Sequence, residues 1–239
     1  METIDPQTTL GALVNAHPEL SRELERRGFD YCCGARHSLS DACVDKGLDP
    51  AVVVSELTAA ATTSEAVGWS TMGPTALVDH LESTHHRYLW DELPRMTALL
   101  AKIVSVHGVR HPELQAIATC FAEMRSDLEP HMAKEERGLF PMIRELDAAT
   151  APPSFPCGPL RNPISVMVLE HDRVGELLAE LRRLTDDYQP PSDGCPSYVT
   201  CFAALADLED DTHLHIHKEN NLLFPLVERM EREMCGTSQ

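Results

Sequence analysis

One phrase is written twice in this chain of 239 residues, with the same internal spacing and 84 residues apart. Asp127, His131, Glu135 and Leu139-Phe140-Pro141 recur as Asp211, His215, Glu219 and Leu223-Phe224-Pro225, D-x3-H-x3-E-x3-L-F-P both times. Residues four apart share one face of an α-helix, so each copy presents an acid, an imidazole and a second acid above an apolar anchor. Packing accounts for a repeated Leu-Phe-Pro. It does not account for repeated His and Glu, because buried polar groups need partners. A metal-binding helix used twice accounts for both. Of the twelve histidines, only His131 and His215 have Glu four residues on.

The repeat extends upstream. His85-His86 precedes Glu92-Leu93, and His171 precedes Glu176-Leu177; His86 lies 45 residues before His131 and His171 lies 44 before His215. Each half therefore reads as a helix hairpin with one lone histidine and one His-x3-Glu pair. Two such hairpins around one core aim four imidazoles and two carboxylates at one place: His86, His131, Glu135, His171, His215 and Glu219. That set is too large for one tetrahedral zinc and suits two ions, each with two imidazoles, bridged by the carboxylates. Ferritin-like bundles use more carboxylate and an E-x-x-H motif, so this His-rich set favours two non-haem iron ions. Positions remain for an oxo or hydroxo bridge and for an exogenous ligand such as NO or O2. Asp127 and Asp211, one turn before each histidine, and Glu170, beside His171, are candidates to orient the imidazoles from behind; solvated surface acids are the alternative reading. Adjacent helical residues point about 100° apart, so only one of His85 and His86 is expected to face the core, and register selects His86. His213 and His217 flank His215 on other faces and read as exposed or as lying behind the ligands. His80 is ambiguous, and His17, His37, His107 and His111 carry no metal reading.

The rest of the chain fits such a bundle. Hydrophobic residues make up 43% and aromatics only 5%, with abundant Leu, Ala, Met and Glu, which leans helical. Four long stretches with apolar residues at three and four spacing run over about 75–106, 112–149, 163–188 and 198–232. The expected class is all-α: a four-helix bundle over 75–234, a linker over 66–74, and a small helical N-terminal domain over 1–65. Within the small domain, Asp49-Pro50 reads as an N-cap followed by Pro at the first helical position. A formal charge of −18 disfavours nucleic acid. No apolar run reaches membrane-spanning length, and the N-terminal residues show no secretory pattern. Eight scattered cysteines without a C-x-x-C pair suit a reducing compartment, and the cytoplasm is the expected location. Asp30-Tyr31-Cys32-Cys33-Gly34 is a separate signal. Vicinal thiols do not readily pair with each other, but they can bind metal, exchange thiols or join a second chain in a homodimer; two ordinary partly buried thiols are the plain alternative.

Tyr31-Cys32-Cys33-Gly34, HHRYLWDELPRM, HMAKEERGLFPMI, ISVMVLEHDRVGELL and HIHKENNLLFP together resemble the di-iron proteins that repair iron-sulfur clusters, over about residues 9–229. The resemblance implies a small domain bearing the vicinal cysteines, then a hemerythrin-like bundle with a non-haem di-iron site. It places iron ligands on the same six residues. It also implies restoration of iron-sulfur clusters damaged by nitrosative or oxidative stress, with damaged cluster proteins as partners and donated iron as the cargo. Cys32 and Cys33 are the candidates for engaging the recipient or passing iron. A di-iron nitric oxide reductase and a hemerythrin-like O2 or NO carrier or sensor are the alternatives. Pro130, immediately before His131, departs from the pattern and is expected to perturb that helix.

Overall fold

The computed structural model describes residues 4–61 and 68–236. The boundary expected at residue 65 and the first part of the expected linker lie outside the described residues. No helix among them is long and apolar enough to cross a membrane.

The N-terminal unit is made of short helices: α1 (Leu10–Ala16), α2 (Ser21–Glu25), α3 (Leu39–Asp45) and α4 (Pro50–Ala61). Thr9 caps α1 by accepting from the Ala12 N–H, and Ser38 caps α3 by accepting from Asp41. The two cap residues form an isolated antiparallel bridge, with Leu10 N–H on the His37 carbonyl and Leu39 N–H on the Thr8 carbonyl, so both helices start side by side. Asp49 accepts from the Ala51 N–H at 2.8 Å, and Pro50 opens α4.

Four long rods form the bundle. Rod A joins α5 (Pro74–Leu81) to α6 (Arg87–His107); rod B joins α7 (Glu113–Lys134) to α8 (Phe140–Ala148). Rod C is α9 (Arg161–Leu184), and rod D joins α10 (Pro196–Lys218) to α11 (Phe224–Gly236). Rod C ends four residues before its expected end because Asp186, Asp187 and Tyr188 all take positive φ (49°, 57° and 58°). That conformation is uncommon outside glycine. Here Thr185 accepts from the Tyr188 N–H at 3.1 Å, and the Tyr188 ring is buried beneath the Arg182 guanidinium.

Pro130 does not break rod B. Pro130 and Ser126, whose carbonyl it leaves without a donor, are both exposed, so water can satisfy the vacancy. Pro94 in rod A is exposed in the same way.

The core is split in two by a polar layer. One apolar cluster holds Leu89, Leu128, Val174 and Ile216 and continues into Leu10, Leu13 and Tyr31 of the N-terminal unit. The other holds Leu81, Leu139, Met167 and Leu223. Each rod crosses between the clusters once: rod A at His86, rod B at Glu135, rod C at His171 and rod D at Glu219. The repeated phrases therefore meet at one level of the bundle.

Candidate metal centre

A widened helical turn interrupts three of the rods at that level. The N–H groups of Arg87, Phe140 and Phe224 reach the carbonyls of Glu82, Glu135 and Glu219, five residues back. Pro141 and Pro225 follow the last two turns after a single residue, Phe140 or Phe224. Proline has no N–H for an i−4 bond and its ring crowds that carbonyl, so a widened turn lowers the cost of passing it. This gives a second reason for the repeated Leu-Phe-Pro. In rod A the wide turn changes the angle between neighbours, and His85 and His86 are both buried, at 4% and 1% exposure. Only His86 joins the six, as register selects, while His85 is buried to one side against Asp211 and Lys218.

His86, His131, His171, His215, Glu135 and Glu219 converge and are almost fully buried. They form two groups that share both carboxylates. His86, His215, Glu135 and Glu219 bring one ligand atom each to within 4.8 Å of one another, and so do His131, His171, Glu135 and Glu219. The Nε2 atoms stand 3.2 Å apart in the His86–His215 pair and 3.0 Å apart in the His131–His171 pair. Glu219 spans the two groups, with Oε1 3.1 Å from His215 Nε2 and Oε2 3.0 Å from His171 Nε2. Glu135 Oε2 lies 3.5 Å from His86 Nε2 and 3.3 Å from His131 Nε2. Both Glu135 oxygens, Glu219 Oε2 and His215 Nδ1 are buried without a hydrogen-bond partner. Burial alone would raise the Glu219 carboxyl, but the His215 and His171 imidazoles hold it well below the usual range. Glu135 is likewise lowered by its imidazoles, against burial and against the Glu219 charge. Two buried carboxylates with unpartnered oxygens, ringed by four Nε2 atoms, are a donor set that divalent or trivalent cations satisfy.

Acceptors behind the imidazoles fix their tautomers. His86 Nδ1 donates to Glu136 (3.0 Å), His131 Nδ1 to Glu170 (2.9 Å) and His171 Nδ1 to the Asn220 amide oxygen (2.9 Å). Each Nε2 lone pair is thereby turned inward, the arrangement metal-binding imidazoles need. Glu136 is itself held by the Trp90 indole N–H, and Glu170 by Lys134. The sequence reading singled out Glu170 but missed Glu136 and Asn220. The signal was available: each directly follows a repeated glutamate and backs the lone histidine of its own hairpin.

Neither aspartate orients the histidine one turn on, and Asp127 follows the alternative reading of a solvated surface acid. Asp127 is exposed and reaches toward Arg173 at 3.8 Å. Asp211 accepts from His85 Nδ1 at 2.8 Å rather than backing His215. His85 Nε2 in turn accepts from Lys218, buried at 2% exposure, whose ammonium also donates to His80 and lies 3.9 Å over the Trp69 ring. Burial lowers the Lys218 ammonium to about 8, with Asp211 acting against that shift. His217 is buried, not exposed: its Nδ1 donates to the Tyr31 carbonyl at 3.1 Å and its Nε2 lies 2.9 Å from the Asn15 amide. His213 packs edge-on to Tyr31. His17, His107 and His111 bond Glu19, Cys195, and Glu113 with Asp193 respectively, away from the six.

The vicinal cysteines sit in a tight turn against rods C and D. Asp30 Oδ1 accepts from the Cys32 and Cys33 N–H groups at 3.1 and 2.9 Å. A side chain at Gly34 would meet the Asp30 carbonyl at 2.8 Å, so only glycine closes this turn. The Asn221 amide donates to the Cys32 carbonyl at 3.1 Å, and Cys33 Sγ is 3.7 Å from the Cβ position of Gly175, one turn past His171. Cys32 is buried and Cys33 half-buried. The sulfurs are 3.8 Å apart, and Cys33, burial and Asp30 together push the Cys32 thiol well up. Asp30, Cys32 and Cys33 form a third group able to hold a cation.

Residues 77–227 match the family described as the hemerythrin HHE cation binding domain, and residues 6–61 match a domain of unknown function, DUF542. The chain is 33% identical over 216 residues to the iron-sulfur cluster repair protein YtfE of Enterobacter sp. (strain 638), covering 90% of this chain and 94% of that one. The proteins of the same name from Escherichia coli O8 (strain IAI1) and Cronobacter sakazakii (strain ATCC BAA-894) are each 32% identical over the same shares.

Proposed function

The chain belongs to the family of iron-sulfur cluster repair proteins built on a hemerythrin HHE cation binding domain, and on that basis we propose that it is a non-haem di-iron protein that repairs clusters damaged by nitrosative or oxidative stress by donating iron. The observation that carries the two-ion reading is the pair of His2Glu2 groups sharing Glu135 and Glu219. His86 and His215 would hold one ion, His131 and His171 the other, with both carboxylates common to the two. When bound, the iron pair supplies redox chemistry and the cargo itself.

The chain's own residues do the holding. Glu136, Glu170 and Asn220 keep three Nε2 lone pairs aimed inward. The apolar clusters above and below exclude water from the layer. Cys32 and Cys33, with Asp30 beside them, offer soft and hard donors on the outside of rods C and D, where a passing iron ion or a cluster on a recipient protein could be engaged. We place this work in the cytoplasm, where thiols stay reduced.

Metal content with an absorption spectrum of freshly prepared protein tests the centre: about two irons per chain with an oxo- or hydroxo-bridged band supports it, and protein that takes up no iron sinks it. For repair, purified iron-loaded protein is mixed with a nitrosylated cluster enzyme without added iron. Recovery of that enzyme, with matching loss of protein-bound iron, is expected. Consumption of NO with no recovery would replace repair by a reductase activity. Replacing Cys32 and Cys33 by Ser should slow the recovery; an unchanged rate would make the pair structural.

A further inference from the structure

The two ion positions are built alike but backed differently. Matching the hairpins through their lone histidines and repeated phrases pairs His86 with His171, His131 with His215, Lys134 with Lys218, Glu136 with Asn220, Asp127 with Asp211 and His85 with Glu170. In one half, Glu170 accepts from His131 Nδ1 and is itself held by Lys134. In the other half the equivalent residue is His85, held by Lys218 in the same way at 2.6 Å. His85 does not back His215. Its ring lies flat against the His215 ring, 5.7 Å between centroids and 8° from parallel, and its Nδ1 is spent on Asp211. His215 Nδ1 is accordingly buried with no partner. The same exchange explains the aspartates: Asp211 meets an imidazole at this position, whereas Asp127 would meet the Glu170 carboxylate and turns to Arg173 instead.

We propose that the two positions are therefore unequal: the one bounded by His131 and His171 fills first and empties last, while the one bounded by His86 and His215 is the exchangeable position from which iron is given up. This rests on the two-ion reading above. A hydrogen-bond acceptor behind a ligand imidazole raises its basicity and fixes its ring, and losing one costs about 10–100-fold in metal affinity. His131 and His171 each have such an acceptor; of His86 and His215, only His86 does. Residue 85 sets the difference.

Zn(II) is the probe, being diamagnetic and content with two imidazoles and two carboxylates. The ring-nitrogen signals of the four imidazoles are followed by NMR in the full-length apo-protein as Zn(II) is added. The first equivalent is expected to move His131 and His171, and His86 and His215 are expected to move only with the second. Simple repulsion between two ions splits affinities without choosing a position, so the identity of the first pair is the diagnostic. His85→Glu should rebuild the Glu170–Lys134 arrangement around His215 and Lys218, and the first equivalent should then divide between the pairs. As an independent check, Glu170→Ala should likewise erase the preference by removing the acceptor behind His131. Equal or reversed filling in the natural protein overturns the proposal, as does an undiminished preference in folded His85→Glu. If none of the four rings moves with two equivalents, the metal centre itself is wrong.

Discussion

The A–B and C–D hairpins carry the same phrase, yet they meet different surroundings. Lys134 and Lys218 both follow the repeated histidine by three residues. Lys134 is exposed and reaches a surface carboxylate; Lys218 is buried between His80, His85 and Trp69. Glu136 backs its imidazole with a carboxylate, Asn220 with an amide. Rod D also carries the N-terminal unit on His217 and Asn221, for which rod B has no counterpart among the described contacts. The repeat thus specifies the face that looks inward and leaves the outer faces free to diverge. The difference between the two halves is written behind the ligands, not in them.

The largest test removes what the halves share. Glu135→Ala with Glu219→Ala should abolish metal uptake at both positions, from about two ions per chain to none by elemental analysis. A double variant that still holds two ions would break the reading of both halves at once.

Next come the anchors of the repeated phrase. Phe140 stacks on His86 and Phe224 on His171, and both are buried in the cluster below the polar layer. Phe140→Ala and Phe224→Ala should each cost about 3–5 kcal/mol, read from denaturant unfolding. Near-equal losses would show that the apolar part of the repeat is energetically symmetric. A loss confined to one variant would show that one hairpin carries the core.

A smaller effect tests the contact that only rod D makes. Asn221→Ala leaves the buried Cys32 carbonyl without its donor, at a cost of about 1–3 kcal/mol. Faster hydrogen exchange over residues 28–37, with rods A and B unchanged, is the expected result. Uniform loosening of the whole chain would mean that the unit and the bundle unfold as one.

The inward face was legible because it is periodic. His131, Glu135 and Leu139 fall at helical spacing and their copies fall at the same spacing, so each copy turns its imidazole and carboxylate toward the same face. The helices were legible from apolar spacing for the same reason. Periodicity also misled. It offered Asp127 and Asp211 as acids behind the next histidine, beside the surface-acid alternative that Asp127 follows, and it kept His85 out of the core. The wide turn at Glu82–His86 brings two neighbours inward and gives Asp211 a partner on another rod, whereas Asp127 would meet the Glu170 carboxylate at the equivalent place and turns to Arg173. The end of rod C at Leu184 depends on left-handed residues held by Thr185 and Arg182, contacts that no local pattern announces.

The smallest effect is a pH dependence at the same N-terminal contact. Glu25 of α2 is buried against rod D, where Tyr31 donates to it and Asp210, Glu209 and His213 of α10 face it. Burial, reinforced by Asp210, raises its carboxyl from 4.5 to about 8. The folded chain therefore keeps a proton that the unfolded chain has already lost. Stability falls as pH rises from about 4.5 to about 8 and levels off beyond, since the unfolded state binds fewer protons throughout that window. Glu25→Gln removes the titration while keeping a group that can accept from Tyr31. Its melting temperature should match the parent's near pH 4.5 and exceed it near pH 8, by roughly 2–4 °C for each kcal/mol of linkage removed. A parent and variant that stay parallel across this window would mean that Glu25 ionises freely and that the N-terminal unit meets rod D more loosely than the Tyr31 contact implies.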